Sequence, residues 1–505
     1  MKKLLFFLTI SLIITSKISI GQQKGLNDSL YKQFQLEQEA INQSFAAYFF
    51  PNYNKLYSLN EQGFISKVDS LRNIFTEQIR LFEIKNPQFD KSIILKESKD
   101  IHYSFDKFLL DYPYFHESYT GEKTLPNGLI DQKINENIKK FNNPELLQIE
   151  SFKAYLKAFL YFQSSIELKK SSYKKLDNQQ LQATLNLIPK YFSNQTVADY
   201  LRFNYLYNHI DNFGIKNLEN TYQTFIATCK DTSYVNKIRA LYTDDERGRE
   251  DHLIKIYKTV DDFNLEIHLF LPKNDDLNKK RPVIVYFSGG SWSEGKPDWN
   301  FYACQSYAKK GWVGVAVEFR LAYRQGTLPF ESVMDAKSAI RWLRQHANEY
   351  NIDTNRIVAS GNSAGGHLVL ATALANKWNE KTDDLRYSPI PSVLMVISGV
   401  FDLNDDNTSW IKKGLKERNL DENLVKEISP NYLIKKGLPP TLIIHGTQDR
   451  NVPFSTADQF VKKMTEAGNS IEFHPLDGAH HFIWYGQYGE QVSEIKRKFL
   501  ERLGY

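Results

Sequence analysis

The stretch Asn355–Leu370, NRIVASGNSAGGHLVL, constrains this chain more than any other. An apolar run through Ile357 and Val358 ends in small residues, a tight Gly361-Asn362-Ser363-Ala364-Gly365 follows, and an Ala/Leu-rich segment then reads as a helix. Strand, sharp turn and helix in that order are the context of a G-x-S-x-G nucleophile elbow. The glycines have a mechanical reason, since a Cβ on either side of the serine would strike the neighbouring strand or helix. Ser363 is thereby predicted to stand out at the top of a sheet. A serine hydroxyl is a weak nucleophile by itself, so the motif demands a base, an orienting acid and an oxyanion hole elsewhere. Without them it is a glycine-rich turn that merely contains a serine.

The flanking pattern says what kind of sheet this is. From about residue 247 onward, apolar β-type runs alternate with helical stretches. Leu265, Ile267 and Leu269 alternate within a lead-in hairpin, and RPVIVYF (281–287) is a continuous run of the kind buried in a parallel sheet. Runs at 312–318, 357–360, 393–398, 441–444 and 471–474 follow, separated by segments with helical spacing. Strands alternating with helices predict a doubly wound, mostly parallel α/β sheet, with ligands bound outside the carboxyl ends of the strands.

Three loops at such ends carry suitable chemistry. Ser288-Gly289-Gly290-Ser291-Trp292 follows the 281–287 run, and its backbone N–H groups at Gly289, Gly290 and Ser291, with that of Ala364, are candidates for an oxyanion hole. Asp449 lies in HGTQDRNVP (445–453), just after a strand and before Pro453, a good first helical residue. The last loop contains His480-His481-Phe482. His480 is favoured as base, because Phe482 two residues on is placed to pack the loop while His480 faces Ser363; His481 is the alternative. His474 reads as a packed or edge histidine. The order Ser363, Asp449, His480 is that of the α/β-hydrolases.

The first half differs. Residues 22–246 contain little glycine and carry stripes such as Phe64, Val68, Leu71, Phe75 and Phe152, Tyr155, Leu156, Phe159, Leu160, the spacing of helix faces. An all-α domain is predicted, punctuated by turns at Asn52-Tyr53-Asn54 and Pro126-Asn127-Gly128, with a charged boundary at 244–250. The 33 Phe and 29 Tyr suffice for large cores in both halves. Basic side chains number 64 against 59 acidic and are spread along the chain, which argues against nucleic-acid binding. Residues 1–21 read as a signal peptide: Lys2 and Lys3, an apolar run from Leu4 to Ile14, then small residues near Gly21. This predicts a mature chain beginning near Gln22 in the periplasm or outside the cell, without a membrane span. Cys229 and Cys304 fall in different halves, so a disulfide between them is not favoured.

The region from about Arg281 to Gly504 is similar to α/β-hydrolase esterases of the hormone-sensitive-lipase-like and feruloyl- or acetyl-esterase-like groups. SGGSW (288–292), VEFRLA (317–322), DAKSAIRWLRQHA (335–347), GNSAGGHL (361–368), SGVFDL (398–403), HGTQDRNVP and GAHHF (478–482) carry it. The resemblance implies a serine esterase acting on a small-molecule or carbohydrate ester, with Ser363, Asp449 and His480 as its triad and no metal or cofactor. Ser288 stands where the family has His, and Ser291 where it has a third Gly. Asp402 and Glu318, near strand ends, are candidate substrate contacts but more in the manner of loop-ordering carboxylates. The helical half loosely resembles the amino-terminal region of some exported thioredoxin-like proteins, lacks any CxxC, and is left free to make protein contacts. A prolyl-oligopeptidase-type peptidase, which would carry a β-propeller in the first half, and a non-catalytic binding protein are the rival readings. Residues 404–437 are a candidate lid.

Overall fold

The computed structural model describes residues 26–124, 128–169, 177–273, 280–404 and 408–505. The expected targeting segment at 1–21 and part of the turn at 126–128 lie outside them.

Among the described residues from Leu26 to Gly248 the regular secondary structure is all helical: helices Leu26–Tyr57, Glu61–Lys85, Lys91–Thr120, Leu129–Ile138, Glu150–Glu167, Gln179–Tyr191, Gln195–Phe213, Glu219–Thr228 and Thr232–Gly248, with a short 3₁₀ turn at Pro144–Gln148. Every residue of the two predicted stripes is buried. The core is aromatic, with Phe45, Phe49, Phe75, Phe105 and Phe108 meeting edge-on or stacked at 5.1–5.7 Å between ring centroids. Asn52-Tyr53-Asn54 is not a turn but lies inside the first helix. Phe49, Tyr53 and Tyr57 recur every fourth residue and pack in series, Tyr53 and Tyr57 also on Phe115 and Phe49 on Phe108, and that tertiary contact outweighs the local turn preference of the asparagines.

The second region is one eight-stranded sheet with strands β1 (Leu253–Val260), β2 (Phe263–Phe270), β3 (Arg281–Phe287), β4 (Val313–Val317), β5 (Ile352–Asn362), β6 (Val393–Ile397), β7 (Thr441–Gly446) and β8 (Ile471–Leu476). Their order across the sheet is β1-β2-β4-β3-β5-β6-β7-β8. The β1–β2 hairpin pairs antiparallel and meets β4 antiparallel; β4, β3 and β5 through β8 are mutually parallel. Helices cover both faces, so β3, β4, β6 and β7 are buried almost throughout, which is why their sequences run apolar instead of alternating. This is an α/β-hydrolase fold preceded by an all-α region. No propeller blade occurs among the described residues of the first half.

The charged stretch 244–250 is less a solvated linker than a packed joint. Helix continues to Gly248, Asp245 pairs with Lys296 at 3.0 Å, and Arg249 pairs with Glu266 at 2.8 Å. Further along the joint, Arg324 is buried between Asp177 and Glu318, and Lys216 also reaches Glu318. Glu318 therefore ties the two regions together and is not a substrate contact. Cys229 and Cys304 are both free and buried. Among the described residues no helix is long and apolar enough to cross a membrane.

Candidate active site

Ser363 sits between β5 and the helix Ala364–Leu374 with φ +53° and ψ −121°, a conformation few non-glycine residues adopt. Its N–H donates to Ile397 O (3.0 Å), and its own carbonyl accepts from His367 N–H, so the turn is held from both sides. The two glycines are required for close approach. A Cβ on Gly361 would lie 2.4 Å from the Gly365 carbonyl carbon, and one on Gly365 would lie 2.1 Å from Phe287 O. The backbone of β3, β5 and the following helix is thus in contact at this point, and the serine is the residue left projecting.

Around Ser363 the structure assembles a chain of hydrogen bonds. His481 Nε2 accepts from Ser363 Oγ at 3.0 Å, and His481 Nδ1 donates to Asp449 Oδ2 at 2.7 Å. The base position is therefore occupied by His481, which corrects the preference for His480. His480 is exposed, and its Nδ1 is bonded to Gln448 O at 2.9 Å. The reason is the path of the loop. Ala479 and Ile483 are the side chains that turn into the core, while Phe482, expected to pack the loop, is 53% exposed. The Ala479 and His480 carbonyls cross directly over Gly446 at the end of β7, and Ser398 Oγ donates to His481 O. That crossing carries the chain over the sheet edge one residue later than the aromatic spacing suggested, leaving His481 only 5% exposed beside Ser363.

Asp449 is held as a carboxylate. Burial by itself would raise its pKa. Hydrogen bonds from His445 and His481, with the Val452 N–H, outweigh burial and hold it well below the usual carboxylate range. Asn451 N–H and Val452 N–H both reach Oδ1 at 2.9 Å. His445, wholly buried, shares its Nε2 proton between Val452 O at 3.0 Å and Asp449 Oδ2 at 3.3 Å. It is a supporting residue that the sequence reading passed over; its position four residues before Asp449 was the available signal.

The candidate oxyanion loop lies against the elbow. A Cβ on Gly289 would come within 2.8 Å of Asn362 Nδ2, and Gly365 abuts Phe287 O and Ser288 O. Gly290, Ser291 and Trp292 have φ of +102°, +55° and +56°, a run of left-handed residues closed by Ser293 and Glu294 N–H groups on Gly290 O. Ser291, in place of the family's glycine, thus occupies a conformation that costs a non-glycine residue about 1 kcal/mol. The N–H groups of Gly289, Gly290, Ser291 and Ala364 have no acceptor among the described residues. Trp292 anchors the loop by donating its indole N–H to His367 Nδ1 at 3.2 Å, while His367 Nε2–H donates to Ile428 O at 2.7 Å. Burial pushes His367 down to about 4, so the ring is neutral and has one acceptor nitrogen for the indole. Asp402 accepts from Asn404 N–H and Tyr432 OH and orders its own loop.

A serine, a histidine and a buried carboxylate in hydrogen-bonded sequence, on the carboxyl edge of an α/β-hydrolase sheet, define the class: the second region is an α/β-hydrolase of the esterase families, joined to a separate helical region. The family model and the curated relatives agree with this. The BD-FAE family model matches residues 267–464. Esterase LipC of Mycobacterium tuberculosis is 27% identical over 261 residues, 49% of this chain and 60% of its own. The acetylxylan esterase of Xylanibacter ruminicola is 26% identical over 250 residues, 48% of this chain and 49% of its own. Solved structures of esterase 2 from Thermogutta terrifontis, one with propionate bound, are 33% identical, covering 51% of this chain and 96% of theirs at a TM-score of 0.47. The chain thus spans only 60% and 49% of those two curated relatives, and the family model leaves the helical region unmatched.

Proposed function

We propose that the protein hydrolyses carboxylic esters through an acyl-enzyme on Ser363. The observation that carries this is the Ser363–His481–Asp449 hydrogen-bond chain at 3.0 and 2.7 Å. His481 Nε2 takes the hydroxyl proton as Ser363 Oγ attacks the ester carbonyl, then returns it to the departing alcohol oxygen. Asp449 fixes the tautomer that leaves Nε2 free and stabilises the imidazolium. The backbone N–H groups of Gly289–Ser291 and Ala364 receive the oxyanion, each donor worth about 3 kcal/mol of barrier. Water, deprotonated by His481, releases the acid.

The acyl group is small, of acetyl or feruloyl type, and the alcohol a carbohydrate or similar group; the acetylxylan esterase relative supports this reading. The apolar amino-terminal run supports export to the periplasm or beyond. The test is hydrolysis of p-nitrophenyl acetate, methyl ferulate and acetylated xylan by the full chain. Activity on the small esters that vanishes in Ser363→Ala is expected; a folded protein that neither hydrolyses them nor reacts with a fluorophosphonate overturns the proposal. For export, the chain recovered after expression in a Gram-negative host should begin near residue 22 and lie outside the cytoplasm. An uncleaved cytoplasmic product refutes that part.

A further inference from the structure

The helical region does not stand apart from the loops that carry the site. On the helix Glu150–Glu167, Tyr161 meets Tyr323 edge-on at 6.4 Å between ring centroids. Tyr323 N–H donates to Ser293 O and Ala322 N–H to Trp292 O, which fixes this tyrosine against the segment directly after the oxyanion loop. On the helix Lys91–Thr120, Tyr114 carries Lys413 Nζ 3.9 Å above its ring, from the helix Ser409–Glu417 of the lid candidate. Helical region, oxyanion loop and lid candidate therefore converge at one rim, where Tyr114, Tyr161, Tyr323 and Glu294 are all half-buried.

Glu294 is the anomaly there. Its Cγ lies 3.2 Å from where a Cβ on Gly290 would stand, so it borders the oxyanion loop. Other carboxylates at the joint have cations: Asp177 has Arg324, Glu318 has Arg324 and Lys216, Asp245 has Lys296. The Glu294 carboxylate has neither a cation nor a hydrogen-bond donor among the described residues, and burial alone raises its pKa. The Glu294 oxygens remain open to solvent at the border of the oxyanion loop, so a ligand hydroxyl can reach an acceptor that no protein donor occupies.

We propose that the helical region builds one wall of the substrate site, where Tyr161, Tyr323 and Glu294 bind the alcohol portion of the ester as a neutral, hydroxyl-rich group such as a sugar ring. Sugar hydroxyls supply the O–H donors that Glu294 lacks, the two phenols both donate and accept, and the ring edges pack on C–H faces. An anionic alcohol is repelled by Glu294. A cationic one meets Lys413, which already covers the neighbouring Tyr114.

The chemical part of this inference rests on the esterase reading, so its test separates the two. Xylotetraose is titrated by calorimetry into the full-length Ser363→Ala protein, where turnover plays no part. Saturable binding is expected, weakened about tenfold or more by Glu294→Gln and by Tyr161→Phe, both conservative enough to keep the fold. In the active protein the same two changes should lower kcat/KM for acetylated xylotetraose about tenfold relative to that for p-nitrophenyl acetate. No binding, binding that neither change weakens, or a preference for acetylcholine over the sugar ester overturns the subsite. Sugar binding lost in the variants of a protein that cleaves no ester would leave the subsite standing and remove the esterase reading. Hydrolysis of p-nitrophenyl acetate without sugar binding would do the reverse.

Discussion

Among the described residues Ser363 Oγ has one partner within reach that can accept its proton, His481, and the adjacent His480 is bonded to the Gln448 carbonyl instead. This makes a sharp contrast between neighbours. His481→Ala should lower kcat on p-nitrophenyl acetate by roughly 10⁴-fold or more, whereas His480→Ala, which removes only a bond to the Gln448 carbonyl, should stay within a few-fold of wild type. Equal losses would place the base elsewhere. Asp449→Asn should cost about 10⁴-fold in kcat by favouring the wrong tautomer. Because the Asp449 pKa is depressed in the fold, its contribution to stability is present above its unfolded value and is lost as pH falls toward the folded one. Melting temperatures taken from about pH 5 down to about pH 2 should therefore fall more steeply for wild type than for Asp449→Asn. Parallel curves would mean the carboxylate is not specially stabilised.

At the scale of elements, the site depends on backbones in contact without side chains between them. The loop after β8 crosses Gly446 so closely that a Cβ there would lie 2.3 Å from Ala479 O and 2.5 Å from His480 O. Both are backbone atoms and cannot swing aside. Gly446→Ala should lift the loop and with it His481, lowering kcat by about 100-fold while the far-ultraviolet circular dichroism is retained. Gly365→Ala places a methyl against Phe287 O, at the contact of β3 with the helix behind Ser363, and should cost more than about 2 kcal/mol in urea unfolding. Unfolding with wild-type stability would show that the elbow has room for a methyl group.

For the molecule as a whole, the buried charges at the joint make the two regions one unit. Arg324 is 2% exposed and lies between Asp177 of the helical region and Glu318 after β4. Arg324→Ala leaves Asp177 without that cation and Glu318 with Lys216 alone, an expected loss of about 3–5 kcal/mol. Calorimetry should then resolve a single unfolding transition into two, the helical region and the sheet melting separately; one unsplit transition at the wild-type temperature would show that the joint contributes little.

The sequence alone carries the helical stripes, the runs of the parallel sheet, the tight turn at Ser363 and the loop carboxylate of Asp449, because each is written in local periodicity, in the order of the elements or in glycines with one steric use. It did not determine which of two adjacent histidines faces the serine. That choice depends on where the last loop crosses β7, a contact between residues more than thirty apart. Nor did it show that Glu318 binds the helical region instead of substrate, that His445 and His367 brace the acid and the oxyanion loop, or that Asn52–Asn54 stays helical. Each of these is decided by what a distant segment brings alongside, and only the folded chain makes that neighbour.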